Sequence, residues 1–287
     1  MWFIYSLTAS FATSARVPFV KNIVDKQDGY IAFWIVVTFA LPFATIAALY
    51  TGIEILENAF WFIVLARVLL DVVSGVTETK AYKFGAISYV VPLMSLSALF
   101  STITGYLING QVPNSMGMLA ILLITISTAM LFAAERKLNE KYDTGALLKS
   151  TGYLMVTLVL WAVANALHKE GIDRSTPYTY FFFGYLGLAG ASTLMVLFTS
   201  RKRIISNFKG TALMNNLFIG FLVAADRILF LSGLVDGFTG YVIAIHNTSV
   251  LFVAFVGLLL FKEKFNALKA FSILLGFLGV ILFAIER

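Results

Sequence analysis

The sequence predicts an all-α membrane protein with ten transmembrane helices, arranged as two inverted five-helix repeats. Of its 287 residues, 60% are hydrophobic and 13% are charged, which is about half the charged fraction of a soluble domain. Apolar windows of roughly 20 residues recur along the whole chain, and each is long enough to cross a hydrocarbon core as a helix. These observations indicate a polytopic membrane protein.

The ten predicted spans follow one another through short connections and leave no segment for a soluble domain. The first span begins at Trp2, directly after the initiator methionine, and lacks the basic region of a secretory signal, so we expect it to be a retained helix. The predicted spans are residues 1–20, 29–51, 58–79, 84–108, 114–133, 147–168, 176–199, 210–234, 238–261 and 266–286.

The longest charged connection divides the chain into two halves. Residues 1–135 form the first five-helix repeat, residues 136–149 form a cytoplasmic linker, and residues 150–287 form the second repeat. Fifteen of the 21 Lys and Arg residues fall in the odd-numbered connections, which the positive-inside rule assigns to the cytoplasm. Both chain termini would then face outward.

Composition excludes several functional classes. The chain has no cysteine and two histidines, so thiolate metal sites, disulfides and cysteine nucleophiles are excluded and a zinc site has few ligands. No phosphate-binding glycine loop or hydrolase motif occurs, so we expect no cofactor. The net charge of +6 follows the alternating loops rather than forming a basic patch, which argues against nucleic acid.

Aligning the chain with itself supports the division into repeats. A shift of 155 residues places Asp71 over Asp226 and Gly85 over Gly240, while a shift of 148 places Lys21 over Lys169. Because each repeat has an odd number of spans, the second copy enters the membrane from the opposite side. Inverted repeats are typical of secondary transporters, whose site lies between the repeats near the midplane.

Three stretches resemble the EamA-type members of the drug/metabolite transporter superfamily. They are "MWFIYSLTASFATSARVPFVKNIVDK", "AYKFGAISYVVPLMSLSALFSTITGYLINGQVPNSMGMLAILLITISTAMLF" and "GYVIAIHNTSVLFVAFVGLLLFKEKFNALKAFSILLGFLGVILF". The resemblance implies a ten-helix fold and metabolite export. This chain departs from the family pattern at Gln111, where the family has a glutamate, whereas Glu263 matches; Asn247 stands where the first repeat has Pro92. The resemblance also implies cytoplasmic termini, opposite to the charge distribution.

The third span carries a polar stripe. Arg67, Asp71, Ser74 and Glu78 fall within an arc of roughly 60 degrees on a helix, and a charge in the bilayer costs about 2.5–3.5 kcal/mol. The stripe must therefore face protein or water. The alternative for Arg67 and Asp71 is a purely structural ion pair. For Glu78 it is a solvated helix end near Lys80.

Other polar residues within the spans are candidate substrate ligands. Asp226 is matched to Asp71, whereas the adjacent Arg227 points about 100 degrees away and could equally be a structural counter-ion. Arg16, two residues before Pro18, could face a pathway or snorkel to headgroups. His246 and Asn247 interrupt the ninth span and could bind substrate, relay a proton or join helices by hydrogen bonds.

The sequence as a whole predicts a secondary active transporter that works by alternating access and moves a small polar, zwitterionic or amphiphilic metabolite, such as an amino acid. The substrate-binding candidates are Arg16, Arg67, Asp71, Asp226, Arg227, His246 and Asn247, and the proton-coupling candidates are Asp71, Asp226 and Glu78. The alternative is a flippase or scramblase for lipids or lipid-linked precursors. A membrane enzyme would need a nucleophile or metal cluster, and neither is evident. The expected partners are the small-molecule substrate and membrane lipids in a prokaryotic plasma (inner) membrane, with a homodimer left open.

Overall fold

The computed structural model describes residues 1–85, 90, 93–94, 96–138, 144–200, 205–252 and 267–285. Within this part of the chain the fold is helical, as predicted, and strand-like pairing is confined to one isolated bridge between Ile55 and Ser175. Several residues used in the sequence argument lie outside it, namely Pro92, Lys141, Arg201, Lys202, Arg203, Lys262, Glu263, Lys264 and Arg287.

The described helices overlap all ten predicted spans. They are α1 (Trp2–Lys26), α2 (Gly29–Thr38), α3 (Leu41–Thr51), α4 (Ala59–Phe84), α5 (Ser97–Asn109), α6 (Ser115–Leu138), α7 (Thr144–Asp173), α8 (Pro177–Ser200), α9 (Gly210–Asp236), α10 (Thr239–His246) and α11 (Ala267–Ile285), with a 3₁₀ turn at Ile205–Phe208. Helices α6 and α7 extend into the predicted linker at 136–149, which is therefore partly helical.

Six stretches in the described part of the chain are long and apolar enough to cross a membrane. They are Gly29–Thr51, Ala59–Phe84, Gly145–Asp173, Pro177–Thr199, Gly210–Asp236 and Ala267–Ile285. The chain is thus an integral membrane protein by helix length and composition, while ten crossings remain a prediction. Large apolar side chains on the outer faces, such as Phe62, Phe198 and Leu274, are exposed, as helices in contact with lipid require.

Two predicted spans are interrupted where the sequence opposes a continuous helix. The second span breaks between α2 and α3, at Phe39 and Ala40, because Pro42 lacks an amide hydrogen and its ring clashes with the preceding turn. The ninth span breaks at Asn247, directly after the last residue of α10, His246. The second break brings polar groups to the middle of the bundle.

Helix packing joins the two halves throughout. Helix α4 packs against α7, α1 against α9, and α6 against α11, while α2 and α3 both pack against α8. Glycines allow the closest of these contacts. A Cβ at Gly220 of α9 would lie 2.0 Å from the carbonyl oxygen of Phe39, so the backbone of α9 fits directly against the break between α2 and α3.

The connections gather at two ends of the bundle. At the end called here the even end, the second and sixth connections meet through the amide of Leu56 and the carbonyl of Arg174, 2.9 Å apart. The fourth and eighth meet there through the Thr239 amide, which donates to the Gln111 side chain at 2.8 Å.

The opposite end, called here the odd end, joins the odd-numbered connections. Gln27 of the first connection donates to Asn207 of the seventh at 3.2 Å. Ser150, at the start of α7, donates to the Ala81 carbonyl near the end of α4 at 2.9 Å. Lys80, near the end of α4, lies over the rings of Tyr30 at the start of α2 and Tyr153 in α7, so the described parts of the first, third, fifth and seventh connections share this end.

Candidate functional site

A central cavity of about 140 Å³ lies among the helices of both halves. Helices α1, α2, α4, α5, α7, α8, α9 and α10 contribute to its wall. All four residues of the predicted stripe on α4 face it, as the helical spacing indicated. The candidate ligands that line it are Arg16, Arg67, Asp71, Glu78, Arg227, His246 and Asn247.

Asp226 lies directly behind this wall and organises the groups contributed by α1, α9 and α10. Its side chain is fully buried, and its Oδ1 accepts hydrogen bonds from Thr13 and from Nε2 of His246, both at 2.8 Å. A carboxylate only accepts, so His246 carries its proton on Nε2. Arg16 and Arg227 approach the other oxygen, Oδ2, at 3.6 and 3.9 Å.

Arg67 and Asp71 form a second charged pair, one helical turn apart on α4. The Nε of Arg67 lies 2.5 Å from Oδ2 of Asp71, and the guanidinium lies 5.5 and 5.7 Å from the ring centroids of Tyr180 and Tyr185. A Cβ at Gly184 would collide with this guanidinium, so a glycine in α8 is needed for it to fit. Arg67 thereby fastens α4 to α8 while facing the cavity.

Glu78 lies one to two turns nearer the odd end than Asp71. It lines the cavity and, among the described residues, has no ion pair within 4 Å. The expected neighbour Lys80 points elsewhere, toward the rings of Tyr30 and Tyr153 at 5.3 and 5.5 Å. The alternative of a solvated helix end beside Lys80 is therefore wrong for Glu78.

Asn247 connects the break after α10 to the first half of the chain. Its side-chain amide donates to the Ser97 hydroxyl at 2.9 Å, and both residues line the cavity. The neighbouring Thr248 shares a hydrogen bond of 3.1 Å with Ser10 of α1. The polar run at the break thus joins α1, α5 and α10 through side-chain hydrogen bonds.

Sequence reasoning gave too little weight to the cavity face of α7. Asn165 and His168 are not among the candidate ligands predicted from the sequence, yet both line the cavity together with Trp161. Asn165 donates to Ser101 at 3.1 Å. Nδ1 of His168 lies 3.1 Å from the Tyr180 hydroxyl. The spacing 161, 165, 168 is a helical stripe like that on α4 and could have identified this face.

A network centred on Arg174 joins the two halves of the chain at the even end. Arg174 lies 3.0 Å from Glu57 of the first half and also pairs with Glu170, which accepts a hydrogen bond of 2.9 Å from Asn109. The hydrogen bond to Glu170 raises the pKa of Arg174, which therefore stays charged at every physiological pH. We call Glu57, Asn109, Glu170 and Arg174 the even-end network.

The described residues contain no cluster of three or more His, Cys, Asp or Glu side chains able to hold a metal ion. The groups in the cavity are instead suited to charge recognition, with arginines and carboxylates lining an enclosed space.

The sequence model of the EamA-like transporter family matches residues 149–285, from the start of α7 to the end of α11. This range contains Asp226, Arg227, His246 and Asn247. Residues 149–285, slightly less than half of the chain, are thus similar to the EamA-like transporter family. An EamA-like protein is a membrane transporter of the drug/metabolite type, which agrees with the resemblance found in the sequence.

The fold of this EamA-like chain occurs in solved structures. One, described only as the crystal structure of a protein, aligns over 99% of this chain and 96% of its own length, with a TM-score of 0.79 and 12% sequence identity. At that identity the likeness concerns the fold alone. No curated protein matches the sequence.

Proposed function

We propose that this EamA-like protein is a secondary active transporter that carries a small polar, zwitterionic or amphiphilic metabolite across the membrane by alternating access. The observation that carries the proposal is the central cavity, where three arginines and three carboxylates, Asp226 among them, lie at or directly behind the wall. Ionisable groups within a membrane are costly and are kept chiefly where they bind substrates or ions.

The packing of the helices supports an arrangement of two inverted repeats. In the repeat alignment α1 corresponds to α7, α4 to α9 and α5 to α10. Exchanging the repeats therefore converts the α4–α7 contact into α9–α1 and the α5–α7 contact into α10–α1, and all four contacts occur. The α6–α11 contact maps onto itself. Such symmetry is what alternating access uses, because one repeat can adopt the conformation of the other.

Among the three carboxylates, Glu78 is the best candidate for a coupling proton. Asp226 accepts two hydrogen bonds and lies beside two arginines, and Asp71 is paired with Arg67, so both carboxylates already have partners in the protein. Glu78 lines the same cavity without an ion pair among the described residues. Protonating it would break no existing ion pair there.

A thermal-shift screen of the purified protein against metabolites would name the ligand class. Proteoliposomes holding a pH-sensitive dye would then report lumen acidification during counterflow of that ligand. We expect Glu78→Gln to abolish the pH dependence while retaining exchange at saturating substrate concentration. Asp71→Asn and Asp226→Asn should lose substrate binding itself. If Glu78→Gln keeps the normal pH dependence, Glu78 is not the carrier.

The same liposomes distinguish metabolite transport from lipid flipping. With a fluorescent lipid in the outer leaflet, a flippase would expose that lipid to an internal quencher, whereas a metabolite carrier would not. The positive-inside rule further places the odd end in the cytoplasm. A reporter active only in the cytoplasm, fused after Arg287, should then remain inactive.

A further inference from the structure

We propose that the cavity has two subsites of opposite charge for one substrate: Arg16 and Arg227 bind its carboxylate, and Glu78 binds its ammonium group. The proposal rests on the transport function proposed above and narrows its substrate to amino-acid-type zwitterions. It follows from which charged groups in the cavity are already satisfied and which are not.

The positive subsite is unsaturated. Arg16 and Arg227 share one oxygen of Asp226 at 3.6 and 3.9 Å, well beyond the roughly 2.8 Å of a charge-assisted hydrogen bond. That oxygen, Oδ2, accepts no hydrogen bond among the described residues, and Thr13 and His246 already occupy Oδ1. Two guanidiniums and one carboxylate leave a net positive charge with unused donors.

The exposed fractions of these side chains indicate which of them face the cavity. Asp226 is fully buried, whereas the side chains of Arg16 and Arg227 are 14% and 25% exposed. The carboxylate therefore lies behind the arginines and holds them, while their free edges face the cavity. A substrate carboxylate could bridge the two guanidiniums without displacing Asp226, in the planar paired geometry that arginine favours.

The negative subsite is Glu78. It lies within electrostatic range of Arg16 and Arg227, yet no cation pairs with it among the described residues. The remaining charged residues of the cavity wall, Arg67 and Asp71, neutralise each other. If Glu78 binds the substrate ammonium when the cavity is open to one side of the membrane and a proton when it is open to the other, one carboxylate both recognises the substrate and couples its transport to the proton gradient.

The overall charge balance favours a neutral molecule bearing both charges. Arg16, Arg67 and Arg227 are balanced by Asp71, Glu78 and Asp226 when the histidines are neutral. A substrate with a net charge would leave one group unpaired in a site of low dielectric constant, which is costly. A zwitterion satisfies both subsites and keeps the balance.

The test uses leucine with its two single-charge analogues, isocaproate and isoamylamine, and phenylalanine with hydrocinnamate and phenethylamine. Binding to the purified full chain is followed by tryptophan fluorescence. Flux of the two amino acids is measured in proteoliposomes. The wild type should bind at least one zwitterion at least about tenfold more tightly than either analogue, because each analogue leaves one buried charge unpaired.

The variants should change the preference in opposite directions. Glu78→Gln should weaken zwitterion binding about tenfold or more and leave the carboxylic acid as the better ligand, whereas Arg227→Gln should favour the amine. Glu78→Asp and Arg16→Lys should recover part of the affinity. Glu54→Gln and Lys209→Gln, which remove exposed charges far from the cavity, serve as matched controls and should behave as the wild type.

Each outcome decides between the proposals. Opposite shifts in preference support the two subsites. If amino acids are transported but both variants lose affinity for all three members of a set equally, the subsites are wrong and the transport function stands. If neither amino acid binds or is transported, the zwitterion assignment is overturned. A different metabolite, found by the screen and transported, would still preserve the transport function.

Discussion

Replacing Gly220 by alanine should loosen the bundle at one definable contact. The new Cβ would lie 2.0 Å from the carbonyl oxygen and 2.3 Å from the carbonyl carbon of Phe39. Both are backbone atoms, so no side-chain rotation can relieve the collision. To restore an ordinary contact of 3.4 Å, α9 and the α2–α3 break must separate by about 1.4 Å. Overpacking of this kind costs about 1–3 kcal/mol.

Gly190→Ala is the matched control. Gly190 also lies within a helix, but a Cβ there meets nothing within 4 Å. This substitution should be neutral or stabilise the protein by up to about 1 kcal/mol, because alanine loses less backbone entropy in a helix. The two variants share the same chemical change and differ only in their surroundings.

Thermal unfolding in detergent, followed by tryptophan fluorescence, measures the difference. Trp34 lies beside the break, with its ring centroid 6.1 Å from that of Phe39, and is therefore a local reporter. A cost of about 2 kcal/mol corresponds to a fall in Tm of about 3 °C for a chain of 287 residues. If Gly220→Ala unfolds within about one degree of Gly190→Ala, the close packing inferred at Phe39 is incorrect.

Two further predictions concern the charged groups. Asp71→Asn should lower the free energy of unfolding by about 3–5 kcal/mol, because it leaves the buried Arg67 without its carboxylate partner. The double variant Arg67→Met/Asp71→Leu should recover most of that loss. Equal unfolding temperatures of the single and double variants would contradict this. Arg174→Gln should open the even end. The chain has no cysteine, so a single cysteine can be introduced at Ser97 as a labelling site. In the Arg174→Gln background this cysteine should react severalfold faster with an impermeant maleimide added from the even end. Arg174→Lys is the control, and an unchanged labelling rate would mean that the even-end network does not close the cavity.

Much of the architecture follows from local sequence patterns. Apolar windows in the sequence overlap the helices of the described part of the chain because the bilayer imposes both their length and their composition. The stripe from Arg67 to Glu78 could be placed on one face because helical spacing alone determines which residues share a direction. The prediction that these residues face a polar space needed only the cost of burying charge in lipid.

Other features depend on contacts that a single sequence does not reveal. The match between Asp71 and Asp226 suggested equivalent roles, yet Asp71 has one arginine partner, whereas Asp226 lies behind two arginines and a histidine. Which carboxylate is left unpaired depends on how α1, α4 and α9 meet. For this reason Glu78, ranked below Asp71 from the sequence, has the stronger case as the coupling group.

The break in the second span shows a different limit. The apolar stretch 29–51 predicts one continuous span, although Pro42 within it opposes a continuous helix. The consequence of the break lies in α9, where Gly220 fits against it. Nothing in the sequence relates a glycine to a proline nearly 180 positions away, and their relation becomes visible only when the helices are packed together.

The contact between the second and sixth connections has a consequence for how this protein tolerates change. Ile55 and Ser175 form a strand-like bridge, and the Leu56 amide bonds to the Arg174 carbonyl, so the joint is made by main-chain atoms. Swapping side chains there leaves such a joint in place. Adding or deleting a single residue in either connection would shift the register of this main-chain pairing. The lengths of these two loops are therefore constrained more strictly than the identities of their residues.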